Sequence, residues 1–153
     1  MPRSRFLSRL NEPNRADLDP RLDAIRDHAL GLPGATEDFP FGPEVMTFKV
    51  GGKLFGALAW EESPLRLSLK CDPERIEALR ETHAAIGPPR YFDKRHWNQV
   101  TVGASIDDGF VCQLIDHSYD LVRASLTRKL RDDLAPRVYA PSEISRPAPG
   151  TPA

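Results

Sequence analysis

The 153-residue chain reads as a two-layer α+β domain, an antiparallel sheet with helices packed on one face. Two features carry this reading. Elements alternate as helix, three strands, helix, strand pair, helix, and the early strands are joined by a glycine turn too short for a helical crossover. In addition, Leu65-Arg66-Leu67-Ser68-Leu69-Lys70 alternates apolar and polar residues with the period of a half-buried strand.

The first helix opens at Asp19-Pro20, a capping residue followed by an imino acid whose missing N–H is harmless there. Leu22, Ile25, Ala29 and Leu30 form its apolar stripe, and Gly31 with Pro33 ends it. Val45–Val50 and Lys53–Trp60 flank Gly51-Gly52, whose tolerance of positive φ suits a two-residue hairpin. Asp72-Pro73 repeats the cap signature and opens a helix carrying Ile76, Leu79 and Arg80, which Gly87-Pro88-Pro89 breaks. A strand pair follows at Arg90–Phe92 and Trp97–Val102. Asp107 caps the longest helix, where Val111, Leu114, Ile115, Ser118, Val122 and either Ser125 or Leu126 share a face. The basic run Arg128, Lys129 and Arg131 closes that helix, as its dipole favours. Glu37-Asp38, between Gly34 and the prolines 40 and 43, reads as loop.

Five of the 15 prolines fall after residue 135. Residues 136–153 therefore read as a disordered Pro-rich tail, residues 1–18 as a disordered arm, and residues 19–135 as the domain. The arm holds four arginines against Glu12 and Asp17, and the tail holds Arg137 and Arg146 against Glu143. With a net charge of −1 overall, the domain itself sits near −4, so any contact with a polyanion must come from local clustering. No apolar run approaches the ~18 residues a membrane-spanning helix needs. The N-terminus lacks the apolar core of a secretory signal, and two cysteines, Cys71 and Cys112, do not make a disulfide scaffold. A cytoplasmic protein is the expectation.

Chemistry-bearing motifs are sparse. Cys71 precedes a helix cap, where amides favour a thiolate, but has no histidine near it in sequence; an enzyme built on Cys71, or on His96 and His117, is the weakest reading. Asp116-His117-Ser118 holds triad residue types, yet neighbours on a helix point about 100° apart. The four histidines form no i, i+4 pair, neither cysteine lies in a CxxC, and Gly51-Gly52 is a turn rather than a phosphate loop, since the Gly-Lys-Ser/Thr motif is missing. No catalytic group, metal or cofactor is expected.

The alternation instead predicts a cationic sheet face. With Leu65, Leu67, Leu69, Val100, Val102, Met46, Phe48, Val50, Phe55 and Ala57 turned inward, Lys49, Arg66, Lys70 and Trp97 turn outward, together with Leu54, Leu58 and Trp60. The densest cluster is Arg90-Tyr91-Phe92-Asp93-Lys94-Arg95-His96-Trp97-Asn98. Its cations suit phosphates, its aromatics suit base stacking, and Asn98 suits a base edge.

Five segments in order resemble the MmcQ/YjbR family: Leu32–Pro43, Phe48–Lys53, Leu69–Pro73, Lys94–Asn98 and Asp116–Val122. The resemblance extends from about Leu22 to Leu134. It implies a small bacterial protein with a frataxin-like (CyaY-like) fold and double-wing hairpins, in a family generally labelled DNA-binding. Where relatives often carry Gly-Tyr-His-Met-Asn before the Lys-Arg-His-Trp motif, this chain has Arg90-Tyr91-Phe92-Asp93. DNA is thus the expected partner, its phosphates held by Lys49, Lys53, Arg66, Lys70, Lys94, Arg95 and His96, with Trp97 beside them. The alternative is a non-enzymatic module that binds a protein, a second copy of itself or a small ligand through Leu58, Trp60 and Trp97.

Overall fold

The structure, a computed structural model, describes residues 18–137. The elements are α1 (Leu22–Leu30), β1 (Thr36–Asp38), β2 (Val45–Val50), β3 (Lys53–Ala59), β4 (Leu65–Lys70), α2 (Pro73–Thr82), β5 (Ile86–Gly87), β6 (Trp97–Val102), α3 (Asp108–Ser125) and α4 (Arg128–Asp132). The strands form one antiparallel sheet in the order β1-β2-β3-β4-β6-β5. Helix α3 crosses β2, β3 and β4 on one face, and α1 packs on α3. The two-layer α+β architecture is therefore as the sequence indicates. Most of the predicted arm and tail lies outside the described residues, but Leu18 packs on the core and Arg137 pairs with Asp116 and Asp120.

Local chemistry accounts for most boundaries. Gly51 and Gly52 turn the β2–β3 hairpin with φ of 57° and 81°, the pair of positive values a tight hairpin turn demands. Asp72 accepts from the Glu74 amide and Asp107 from the Gly109 amide, capping α2 and α3. Other expectations need correction. Asp19 accepts from the Arg21 amide in a turn ahead of α1, so the helix starts at Leu22 with no side-chain cap. Ser125 ends α3, and Thr127 caps a separate short helix, so Arg128, Lys129 and Arg131 belong to α4. The strand beside β6 is Ile86–Gly87, and Arg90–Phe92 is a bend. Glu37 and Asp38 lie in edge strand β1, because Glu37 accepts two bonds, at 2.7 and 2.6 Å, from the guanidinium of Arg26, which is 1% exposed. That buried pair joins α1 to β1; loss of one member would strand a charge.

A register shift at Phe48/Lys49 changes which residues of β3 reach the core. Phe48 faces Gly56 and Lys49 faces Leu54, leaving Phe55 as an extra residue. Beyond this bulge the alternation is displaced by one position. Phe55 packs edge-on to Tyr119 of α3, Leu58 and Trp60 are buried, and Trp60 donates its indole N–H to the Pro43 carbonyl. Leu58 and Trp60 therefore do not lie on the outer face as predicted, and Ala57 faces Thr47 and Ser68 there instead. That face is also drier than expected at its centre. Thr47, Ala57 and Ser68 are buried, because short side chains sit low between long ones.

The bulge leaves a gap in the sheet that α3 fills. Pairing of β3 with β4 stops at Gly56 opposite Leu69, so the next two residues, Phe55 and Lys70, form no pair. The fully buried Ser118 hydroxyl stands between them, donating to the Phe55 carbonyl and accepting from the Lys70 amide at 2.8 Å. Ser118→Ala removes both partners, and a buried unsatisfied group costs about 1–3 kcal/mol. The expected loss of unfolding free energy is about 2–4 kcal/mol by chemical denaturation.

Helix α1 is tied to α3 by His28, whose Nε2 lies 2.8 Å from Asp116 Oδ1. The bond to Asp116 first, and one to Cys112 second, raise the His28 pKa from 6.5 to about 10. The folded state thus holds this proton more tightly than the unfolded one. The stabilisation is complete below pH 6.5 and fades as pH rises through about 10. Denaturation across that window should show wild-type stability falling towards that of His28→Gln, whose own curve is flatter.

Candidate functional site

At one end of the sheet, Lys70 of β4 stands directly opposite Trp97 of β6, on the outer face. The chain entering β6 makes a tight turn organised by Asp93. Its carboxylate accepts from the Arg95 amide at 2.9 Å and bonds His96 Nδ1, and its carbonyl accepts from the amides of His96 and Trp97. The Arg95 amide first, and His96 second, hold the Asp93 carboxyl below its ordinary range. Two further ties fix the turn to the body. The Cys71 amide donates to the His96 carbonyl at 2.8 Å, and Arg80 of α2 donates to Asn98 Oδ1 (2.8 Å), the Lys94 carbonyl (2.7 Å) and the Trp97 carbonyl (3.2 Å). Arg80 is the residue that sequence reading missed. It sat in the stripe of α2 with Ile76 and Leu79, and only the tertiary fold shows what it reaches.

Of the eight predicted contact residues, the fold gathers five: Lys70, Lys94, Arg95, His96 and Trp97. Lys70, Lys94 and Arg95 make no salt bridge among the described residues, whereas His96 is bound to Asp93. Lys49 and Arg66 share the outer face but each meets a carboxylate, Lys49 with Asp38 at 3.4 Å and Arg66 with Glu62 at 3.1 Å. Lys53 is on the opposite face. It is paired with Val50, which faces the helices, and its ammonium bonds the Ser125 carbonyl and hydroxyl at the C-terminus of α3. The cations thus do not form one plane across the sheet; they collect at its end. Asn98 is buried and held by Arg80, so it offers no amide to a base.

Aromatic rings border this end. Phe92 stacks on Trp97, with centroids 4.6 Å apart, and Phe41 meets Phe92 edge-on at 6.4 Å. Tyr91 is 84% exposed, with the Arg90 guanidinium 5.9 Å from its ring centroid. Cys71 lies nearby but is poorly placed for nucleophilic chemistry. Burial above all pushes its thiol up to about 11, and burial also lowers the pKa of His117, whose Nε2 accepts from the Asp72 amide at 3.2 Å. The rest of Asp116–Asp120 is likewise engaged inside the fold: Asp116 with His28, Ser118 with the sheet, Tyr119 with the Pro33 carbonyl, and Asp120 with Arg137.

The YjbR family profile matches residues 30–121, more than half of the chain and every element from β1 to most of α3. The chain belongs to the YjbR family. It is 33% identical over 101 residues to the Escherichia coli O157:H7 protein YbdF, covering 66% of this chain and 83% of that one. Against YjbR of Escherichia coli K12 the identity is 30% over 98 residues, with 64% and 83% covered. Among solved structures, the Deinococcus radiodurans protein DR2400, a DUF419 domain, matches with a TM-score of 0.69 at 36% identity over 73% of this chain and 86% of that one. A Pseudomonas syringae protein matches with a TM-score of 0.57 at 20% identity, over 67% and 98%, and shares the fold. In this YjbR domain no helix among the described residues is long and apolar enough to cross a membrane.

Arg80→Gln leaves the Lys94 and Trp97 carbonyls short of a charged donor. The 93–97 turn should then exchange its amide hydrogens about tenfold or more faster, for a loss of ~1.5–3 kcal/mol in a charged hydrogen bond. Amides in β2 and β3 should keep their wild-type rates.

Proposed function

We propose that this YjbR-family protein binds DNA in single-stranded form, through the end of the sheet formed by Lys70, Tyr91, Lys94, Arg95 and the edge of Trp97. The observation that supports this reading most is the company Tyr91 keeps. An aromatic ring that is 84% exposed stands within a few residues of two cations, Lys94 and Arg95, that no carboxylate among the described residues pairs. Bases stack on such a ring only when they are unpaired, and ammonium and guanidinium groups hold the neighbouring phosphates. The contact differs from a double-wing mode, because the hairpin cations Lys49 and Lys53 are already engaged within the fold. It also resolves the charge problem: a domain near −4 overall presents a local surplus of positive charge at one end.

A smaller patch binds more weakly and with a shallower salt dependence than eight contacts would. Three phosphates neutralised give a slope of about −2 to −3 in log K against log salt. A labelled ~12-nucleotide oligonucleotide, followed by fluorescence anisotropy, should lose roughly 20–40-fold in affinity between ~50 and ~200 mM salt. Lys94→Glu with Arg95→Glu should abolish the signal, and Lys53→Gln should leave it unchanged. Absence of binding at ~50 mM salt, or an equal loss in Lys53→Gln, ends this reading.

One observation favours a second reading, a protein- or ligand-binding surface. Phe41, 59% exposed, continues the aromatic row of Phe92 and Trp97. Binding through that row would be insensitive to salt and lost in Phe41→Ser.

A further inference from the structure

Among the described residues three large apolar side chains stand exposed: Phe41, Tyr91 and Leu130. Two of them belong to one patch. Phe41 meets Phe92 edge-on, Phe92 stacks on Trp97, and Tyr91 precedes Phe92 in the chain. Protein interfaces favour aromatic rings displayed in this way, because each buries a large area on contact.

The two ends of the row differ in charge. Asp38 and Glu44 flank the loop that carries Phe41. A Cβ added at Gly42 would come within 2.7 Å of Glu44 Oε2, so that carboxylate is folded back over the loop. Glu44 forms no salt bridge among the described residues, whereas Asp38 shares its charge with Lys49. At the Phe92–Trp97 end stand Arg90, Lys94 and Arg95, likewise without a salt bridge among the described residues. The acid beside them, Asp93, is already bound to His96 and the Arg95 amide.

We propose that this row is the contact surface for a second copy of the chain, in a two-fold dimer whose rows run antiparallel. A two-fold axis that lies in the contact plane and crosses the row reverses its direction. Glu44 of each copy then faces Lys94 and Arg95 of the other, at both ends of the contact. The same axis laid along the row would set cations against cations and carboxylate against carboxylate. The rings supply the attraction. The charges choose the orientation, since like charges brought together cost far more than exposed opposite pairs gain. A patch of this size makes a weak dimer that forms with concentration, not an obligate one. Such a dimer rests on the second reading above, the row as a protein-binding surface, and supplies its occupant. It also covers Lys94 and Arg95, so self-association and the single-strand contact exclude one another.

Sedimentation of the full chain, without nucleic acid, over a ~50-fold range of concentration tests the dimer. The mean mass should climb towards twice that of the monomer and should change little with salt. Phe41→Ser should stay monomeric with the wild-type unfolding midpoint, because the ring it removes is mostly exposed. Glu44→Lys alone, and Lys94→Glu with Arg95→Glu alone, should each associate about tenfold or more weakly than wild type. Mixed together, these two variants should associate as well as wild type, because both ends of the mixed dimer again join opposite charges. A wild-type mass independent of concentration overturns the dimer and leaves the row to a different protein. Equal association of wild type and Phe41→Ser overturns the dimer and the protein-binding row together. A mixture no tighter than its separate variants overturns the antiparallel arrangement.

Discussion

The hydroxyl of Ser118 joins the two layers where the sheet would otherwise come apart. The bulge in β3 ends its pairing with β4 at Gly56, and the carbonyl of Phe55 and the amide of Lys70 then face each other without a ladder bond. Both lie in the interior, where an unmet polar group is costly. Ser118 satisfies both at once, and so sets how deeply α3 beds into the sheet and at which rotation. The neighbouring packing follows from that depth. Tyr119 meets the Phe55 ring edge-on and sends its hydroxyl to the Pro33 carbonyl, while Val111, Leu114, Ile115 and Val122 fill the rest of the layer.

The same contact sets the candidate site. Fixing the Lys70 backbone fixes the end of β4, and the Cys71 amide beyond it holds the Asp93–His96 turn through the His96 carbonyl. Arg80 secures the turn from the other side. A short, rigid, cation-bearing turn is thus assembled from α2, α3, β4 and β6, although its charged residues are nearly consecutive in sequence. Several charges elsewhere are internally balanced. Arg26 is buried against Glu37, Arg66 meets Glu62, and Lys49 meets Asp38, so a chain with near-zero net charge can keep a local surplus at one place.

What was legible in the sequence was whatever depends on neighbours along the chain. The Gly51-Gly52 turn, the caps Asp72 and Asp107, the alternation of β4 and the outward placement of Lys70 and Trp97 all follow from local rules. What was hidden depends on tertiary partners. A bulge has no signature in an apolar run such as Leu54-Phe55-Gly56-Ala57-Leu58, so Ala57 and Leu58 were assigned to the wrong faces. Lys53 gave no sign that its ammonium would find the end of α3. Glu37 looked like loop because Arg26, its partner, lies in another element. His28 likewise meets Asp116 only when α1 docks on α3.

The proposed contact with an anionic chain lies at one end of the sheet rather than across its face. An amide-detected NMR titration of the labelled protein with a short single-stranded oligonucleotide tests that placement residue by residue. Shifts should concentrate at residues 69–71 and 90–98, with the Trp97 indole among the largest, and Lys49, Lys53 and the helix layer should stay still. Shifts centred on the β2–β3 hairpin or on α1 and α3, or none at saturating oligonucleotide, would contradict it.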